Sequence, residues 1–186
     1  MPQTVAGMAN APKKRRGRLS LWRLLQCRKG SAAVEFAMVS IPFFALLFAI
    51  FETALVFLAQ QVLQTATTES ARVIMTGQAQ TQGMNATQFQ QAVCAKASSL
   101  FTCSGIYVNV QKFSSFSTVS MLNPLQSGNF NSASMNYSTG GPGDIVLVQV
   151  FYQWPVFTVP LGFNLSNMNG NNRLLMATAV FRNEPY

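Results

Sequence analysis

The chain has 186 residues, 49% of them hydrophobic, with no His, three Cys and a formal net charge of +8. That length suits one folded domain plus a membrane segment. The missing His removes the commonest general base, and the five carboxylates form no paired constellation, so the composition argues against an enzyme and against a metal or cofactor site.

The charge is uneven. Eight of the thirteen bases (Lys13, Lys14, Arg15, Arg16, Arg18, Arg23, Arg28 and Lys29) precede residue 30, with no acid among them. Beyond that point five bases meet five acids. No folded basic face accompanies the run, so nucleic acid is not an expected partner. A basic block before a hydrophobic helix instead holds the N-terminus in the cytosol and sends the rest outside.

In chain order, residues 1–12 are small and polar, and residues 19–25 suit a short basic amphipathic helix on the inner membrane surface. Residues 36–51 carry no charge, and the apolar run continues past Glu52 to Ala59. A span needs about 20 mostly apolar residues, so membrane lipid is the expected surrounding of residues 31–59. Glu35 and Glu52 are seventeen residues apart, roughly 25 Å along a helix, which sets each near an interface. On this reading Glu52 is an interfacial carboxylate. Pro42 inside the helix predicts either a kink near residues 38–42 or a harmless membrane proline.

The helix is expected to run from Ser31 to about Thr76. Beyond the membrane, Ala59, Val62, Leu63, Ala66, Ser70, Val73 and Ile74 form a small-to-apolar stripe, with Gln60, Gln64, Thr68 and Arg72 opposite. Gly77 and the Gln/Thr/Gly run to Gly83 stop it. Asn85 caps a second helix that places Phe89, Val93, Ala97 and Leu100 on one face. Ile106, Val108 and Val110 alternate with polar residues as a half-buried strand. Residues 117–121 suggest a short strand, and residues 122–143 a long Asn/Ser/Gly loop of unassigned role. The strongest strand is 144–154, with Val146, Val148, Val150, Tyr152 and Trp154 on one face, ended by Pro155 and Pro160. Residues 164–172 are a polar turn, and 173–182 the last strand. The fold class is α+β: a long N-terminal membrane helix continuing into a small extracytoplasmic domain with a second helix and an antiparallel sheet of three to four strands. The tail is expected to close the sheet by packing Phe181 and pairing Arg182 with Glu184; a docking end is the alternative.

Topology sorts the cysteines. Cys27 falls on the cytosolic side as a free thiol, whereas Cys94 and Cys103 fall in an oxidising compartment and are expected to join.

The segment Arg28-Lys29-Gly30-Ser31-Ala32-Ala33-Val34-Glu35-Phe36, followed by the hydrophobic helix, resembles a type IV prepilin processing site. Its wording is most similar to TadE-like minor pilins (pseudopilins) of tight-adherence pili. Glu69-Ser70-Ala71-Arg72, the pair Cys94 and Cys103, and the ending Ala179-Val180-Phe181-Arg182-Asn183-Glu184-Pro185 agree. The resemblance implies a cut between Gly30 and Ser31 by a prepilin peptidase, so that residues 1–30 are a cleaved leader, 31–59 the membrane helix and 60–186 the outer domain. It implies that Glu35, with Phe36 beside it, sets filament register by meeting the new amine of an incoming subunit. Its implied partners are other minor pilins, the major pilin, the prepilin peptidase and the inner-membrane assembly platform. The implied location is the bacterial cytoplasmic membrane and then a surface pilus. Two rival readings stay open: an uncleaved periplasmic scaffold of the same machine, and an adhesin acting through the Asn/Ser/Gly loop with Phe130 and Tyr137.

Overall fold

The computed structural model of the chain describes residues 31–186. The leader, Cys27 and Gly30 lie outside the described residues. The chain divides into two units, Met1–Phe43 and Phe44–Tyr186. Helix α1, Ser31–Met75, is 45 residues long and contains Pro42. It stays helical through the proline.

In the second unit, the stripe on α1 is buried as its spacing requires: Ala59, Leu63, Ser70 and Ile74 have no exposed surface. Gly77 then turns the chain at φ +76°, a left-handed conformation natural to glycine, and the Tyr186 ring lies where a Cβ would stand. The run after Gly77 is not plain loop. It forms a one-turn helix α2, Gln78–Thr81, because Ala79 is apolar enough to be buried there.

Helix α3, Ala86–Ala97, begins with a reciprocal cap: the Asn85 side chain accepts from the Gln88 N–H, and the Gln88 side chain accepts from the Asn85 N–H. Phe89, Val93 and Ala97 are buried. Leu100 falls beyond the helix end but still packs on the core.

The main sheet is antiparallel, with strand order β1-β4-β5: β1 is Ile106–Phe113, β4 is Ile145–Pro155 and β5 is Asn172–Arg182. Strands β2, Leu125–Gln126, and β3, Asn129–Phe130, form a small separate hairpin. The architecture is α+β, as its alternating patterns require. The register sets Val110 opposite Val148, and Val148 opposite Ala179. With period-two side chains, Val146, Val148 and Val150 join Leu175 and Ala177 against the α1 stripe and the Phe89–Ala97 face of α3.

Two expectations are corrected. Residues 117–121 are not a strand: a 3₁₀ turn, Phe116–Thr118, is held by Thr118 bonding back to Ser115. The central strand β4 is also buried on both faces, not on one. Leu147, Gln149 and Phe151, on the face away from the helices, are fully buried too. The segment 114–143 covers them. Its Phe130 ring lies 4.7 Å from Tyr107 and 6.4 Å from Phe151. A buried amide pair ties it down: Asn109 Nδ2 donates to Gln149 Oε1 at 3.0 Å, the same oxygen accepts from the Leu122 N–H at 3.1 Å, and Asn109 Oδ1 accepts from the Asn136 N–H at 2.9 Å. Buried polar side chains must be satisfied, so this network fixes where the loop lies.

Both sheet edges are blunted. The Val110 N–H and carbonyl on the β1 edge bond to the Asn136 carbonyl and the Ser138 N–H, at 2.8 Å each. On the β5 edge, Gln60 Nε2 donates to the Met176 carbonyl at 2.8 Å, and Gln64 donates to and accepts from the Thr178 backbone at 2.9 and 3.2 Å. An open edge invites strand addition. Gln60 and Gln64, expected on the helix face turned away from the domain, close that edge.

Candidate functional site

The residues singled out by sequence fall in separate places. Ser31 opens α1 in the first unit, and Glu35 and Phe36 follow within two turns, both exposed, Phe36 by 72%. Apolar side chains dominate this stretch, and nothing about its local structure departs from a regular helix.

Cys94 and Cys103 lie in the second unit and form a disulfide with Cα atoms 5.3 Å apart. The bridge joins the last turn of α3 to the 3₁₀ turn Cys103–Gly105 that leads into β1. Gln90 Nε2 reinforces the join, donating to the Cys103 and Ile106 carbonyls at 2.9 and 2.7 Å. The arrangement locks helix to sheet, a structural rather than chemical role.

The tail is anchored at several points, but not by the expected ion pair. Arg182 Nε donates to the Gly143 carbonyl at 2.9 Å. Asn183 is buried, and its amide nitrogen donates to the Thr139 and Gly141 carbonyls at 2.9 and 3.0 Å. The Glu184 N–H bonds to the Met75 carbonyl at 2.9 Å, satisfying one of the free carbonyls at the end of α1. Competition from these backbone acceptors explains why Arg182 turns from Glu184. Glu69 instead pairs with Lys96 of α3 at 3.0 Å, an exposed bridge of small energetic weight.

The sequence reading missed Glu52. It is only 8% exposed. Its carboxylate accepts the Phe157 N–H, the Thr158 N–H at 3.0 Å and the Thr158 hydroxyl. Residues 156–163, which follow β4, thus fold back onto α1 and wrap the carboxylate in donors, the environment that makes a buried charge tolerable. The signal was in the spacing. Stepping back along the stripe from Ser70 through Ala66, Leu63, Ala59 and Val56 reaches Glu52 at alternating intervals of three and four. The carboxylate is therefore on the face turned to the domain, not to lipid.

Among the described residues no group of three or more His, Cys, Asp or Glu is arranged to hold a metal ion.

A long apolar helix feeding a small helix-and-sheet domain stapled by a disulfide defines a helix-anchored α+β protein. One described helix is long and apolar enough to cross a membrane. Residues 30–72 match the family model described as TadE-like protein, and over that segment the chain is similar to TadE-like proteins. The matched segment covers α1 almost to its end. No curated protein and no solved structure matches the chain.

Proposed function

We propose that this chain is a minor pilin, or pseudopilin, of a tight-adherence pilus that takes part in pilus initiation or tip assembly and so in surface adherence. It waits in the cytoplasmic membrane with residues 1–30 in the cytosol, residues 31–59 in the bilayer and residues 60–186 outside. A prepilin peptidase removes the leader after Gly30, and the assembly platform passes the mature subunit to other minor pilins and the major pilin. The chain is a building block, not a catalyst, and needs no cofactor.

One observation carries this reading: the TadE-like match starts at Gly30, the residue after which the proposed cut falls, and follows α1 to residue 72. Glycine without a side chain lets a peptidase approach the backbone closely. The cut creates an ammonium at Ser31. In apolar surroundings an ammonium and a carboxylate gain from pairing, and either alone is costly. Glu35 of a subunit already in the fibre thereby fixes the axial position of the next.

Glu35→Gln tests the assignment, since it keeps shape and removes charge. The variant should be stable, membrane-held and cut, because the domain core and Gly30 are untouched, yet support few or no pili. Protein level, mature mass and surface fibres in one strain give the answer. Normal piliation would refute the register role of Glu35.

A further inference from the structure

We propose that residues 156–163 form a second membrane contact, a loop seated in the outer leaflet beside α1, with the bilayer itself as its partner. This rests on the reading of α1 as a membrane span.

Phe157 is 76% exposed, the highest value among the exposed large hydrophobics of the described residues, and Leu161 and Phe163 beside it are exposed as well. A phenylalanine so exposed gains little from the fold of its own domain. Between Asp144 and Arg173 the chain carries no charge, so nothing in the loop resists entry into lipid. The loop does not stand off in water. Phe157, Thr158 and Leu161 line a cleft of about 280 Å³ together with Phe48, Phe51 and Glu52 of α1, and Phe163 closes a second apolar groove against Leu46, Ile50 and Phe57. The exposed loop aromatics therefore continue the exposed apolar surface of the helix, whose Phe48, Phe51, Leu55, Phe57 and Leu58 are all more than half exposed. Contiguous apolar surface of this kind marks a membrane or partner contact. Continuity with the span selects the membrane.

Glu52 supplies the independent argument. A carboxylate on a membrane helix is expensive, yet this one receives two backbone N–H groups and a hydroxyl from the loop. Those donors satisfy the charge and hold the loop against the helix at the level of the apolar span. Trp154, at the root of the loop and lining the same cleft, is the residue type that favours the headgroup level.

Collisional quenching tests the contact in the full chain, with Cys27→Ser as background so that only an introduced thiol reacts. Cysteine is placed at Phe157, Phe163, Leu46 and Gln82, each labelled with an environment-sensitive fluorophore, in vesicles of phosphatidylcholine and phosphatidylglycerol. Nitroxide lipids quench from shallow or deep acyl positions. Leu46 reports the span, and the exposed Gln82, beyond the far end of α1, reports water. The Phe157 and Phe163 labels should lose emission to nitroxides, more to shallow than to deep ones, while Gln82 keeps its emission. If Leu46 is quenched but Phe157 and Phe163 behave like Gln82, the loop contact is overturned and the span stands. An unquenched Leu46 overturns the span and the proposal with it. A Gln82 label quenched as strongly as Phe157 also overturns the contact.

Discussion

Glu52→Ala should release residues 156–163 from α1 without unfolding the sheet. The carboxylate is the acceptor for the Phe157 N–H, the Thr158 N–H and the Thr158 hydroxyl. The hydroxyl has a second acceptor, the Phe163 carbonyl at 3.3 Å, so the two N–H groups bear most of the loss. A buried donor left unpaired costs about 1–3 kcal/mol, which gives about 2–6 kcal/mol for a loop that stayed in place. A short surface loop relieves that by opening to water, so the observable is local opening. Even the lower figure corresponds to about 30-fold, at tenfold per 1.4 kcal/mol. Hydrogen exchange of the full chain in detergent should therefore rise by that factor or more at the Phe157 and Thr158 amides and stay unchanged at Val148 and Val150 in β4. Glu52→Gln keeps one acceptor oxygen but turns an N–H₂ toward the donors, and should show a smaller rise. Thr158→Val removes one hydroxyl donor and should cost only about 1 kcal/mol. Unaltered exchange at Phe157 and Thr158 in the alanine variant would refute the anchoring role of Glu52.

Cys94→Ser opens a loop of nine residues' separation, which the chain-entropy relation values at about 2–3 kcal/mol. The unfolding midpoint of the variant should fall accordingly, and the unreduced wild-type protein should show no reactive thiol at Cys94 or Cys103. Tyr137 packs its ring 6.0 Å from Phe89 but buries a hydroxyl with no partner, so Tyr137→Phe should be neutral or stabilising by up to about 1 kcal/mol. Burial pushes the Tyr137 phenol up from 10.0 to about 12. The folded state thus holds the proton longer than the unfolded chain, and the stability linked to this group is complete below about pH 10 and lost as pH climbs toward about 12. Unfolding titrations near neutrality and at that alkaline end should show a steeper loss for wild type than for Tyr137→Phe; equal losses would contradict the assignment.

Where local pattern decided structure, the sequence was readable. The stripe through Ala59, Leu63 and Ser70, the Asn85 cap and the alternation in β4 each needed only the helix or strand period and one burying partner. Contacts between distant segments were not readable from a period. Gln60 and Gln64 looked solvent-facing because their partners are backbone groups of β5, more than a hundred residues away. Leu147, Gln149 and Phe151 are buried by segment 114–143, whose composition reads as open loop. The amide pair Asn109 and Gln149 that fixes this segment joins two strands. Glu52 lay on the same face as Val56 and Ala59, but the hydrophobic run around it suggested lipid as its surroundings. The candidate processing and register residues Gly30, Ser31, Glu35 and Phe36 all fall within the segment that the family match covers from Gly30 onward, and their roles belong to the proposal.

The central claim is that the chain is a processed pilin subunit, and the mature N-terminus tests it most directly. The protein is recovered from membranes of cells making pili, sequenced from its amino end and weighed intact. The account predicts a chain beginning Ser31-Ala32-Ala33-Val34-Glu35, with Gly30→Leu leaving the full-length band. A wild-type protein that keeps Met1 through Gly30 in those cells would contradict it.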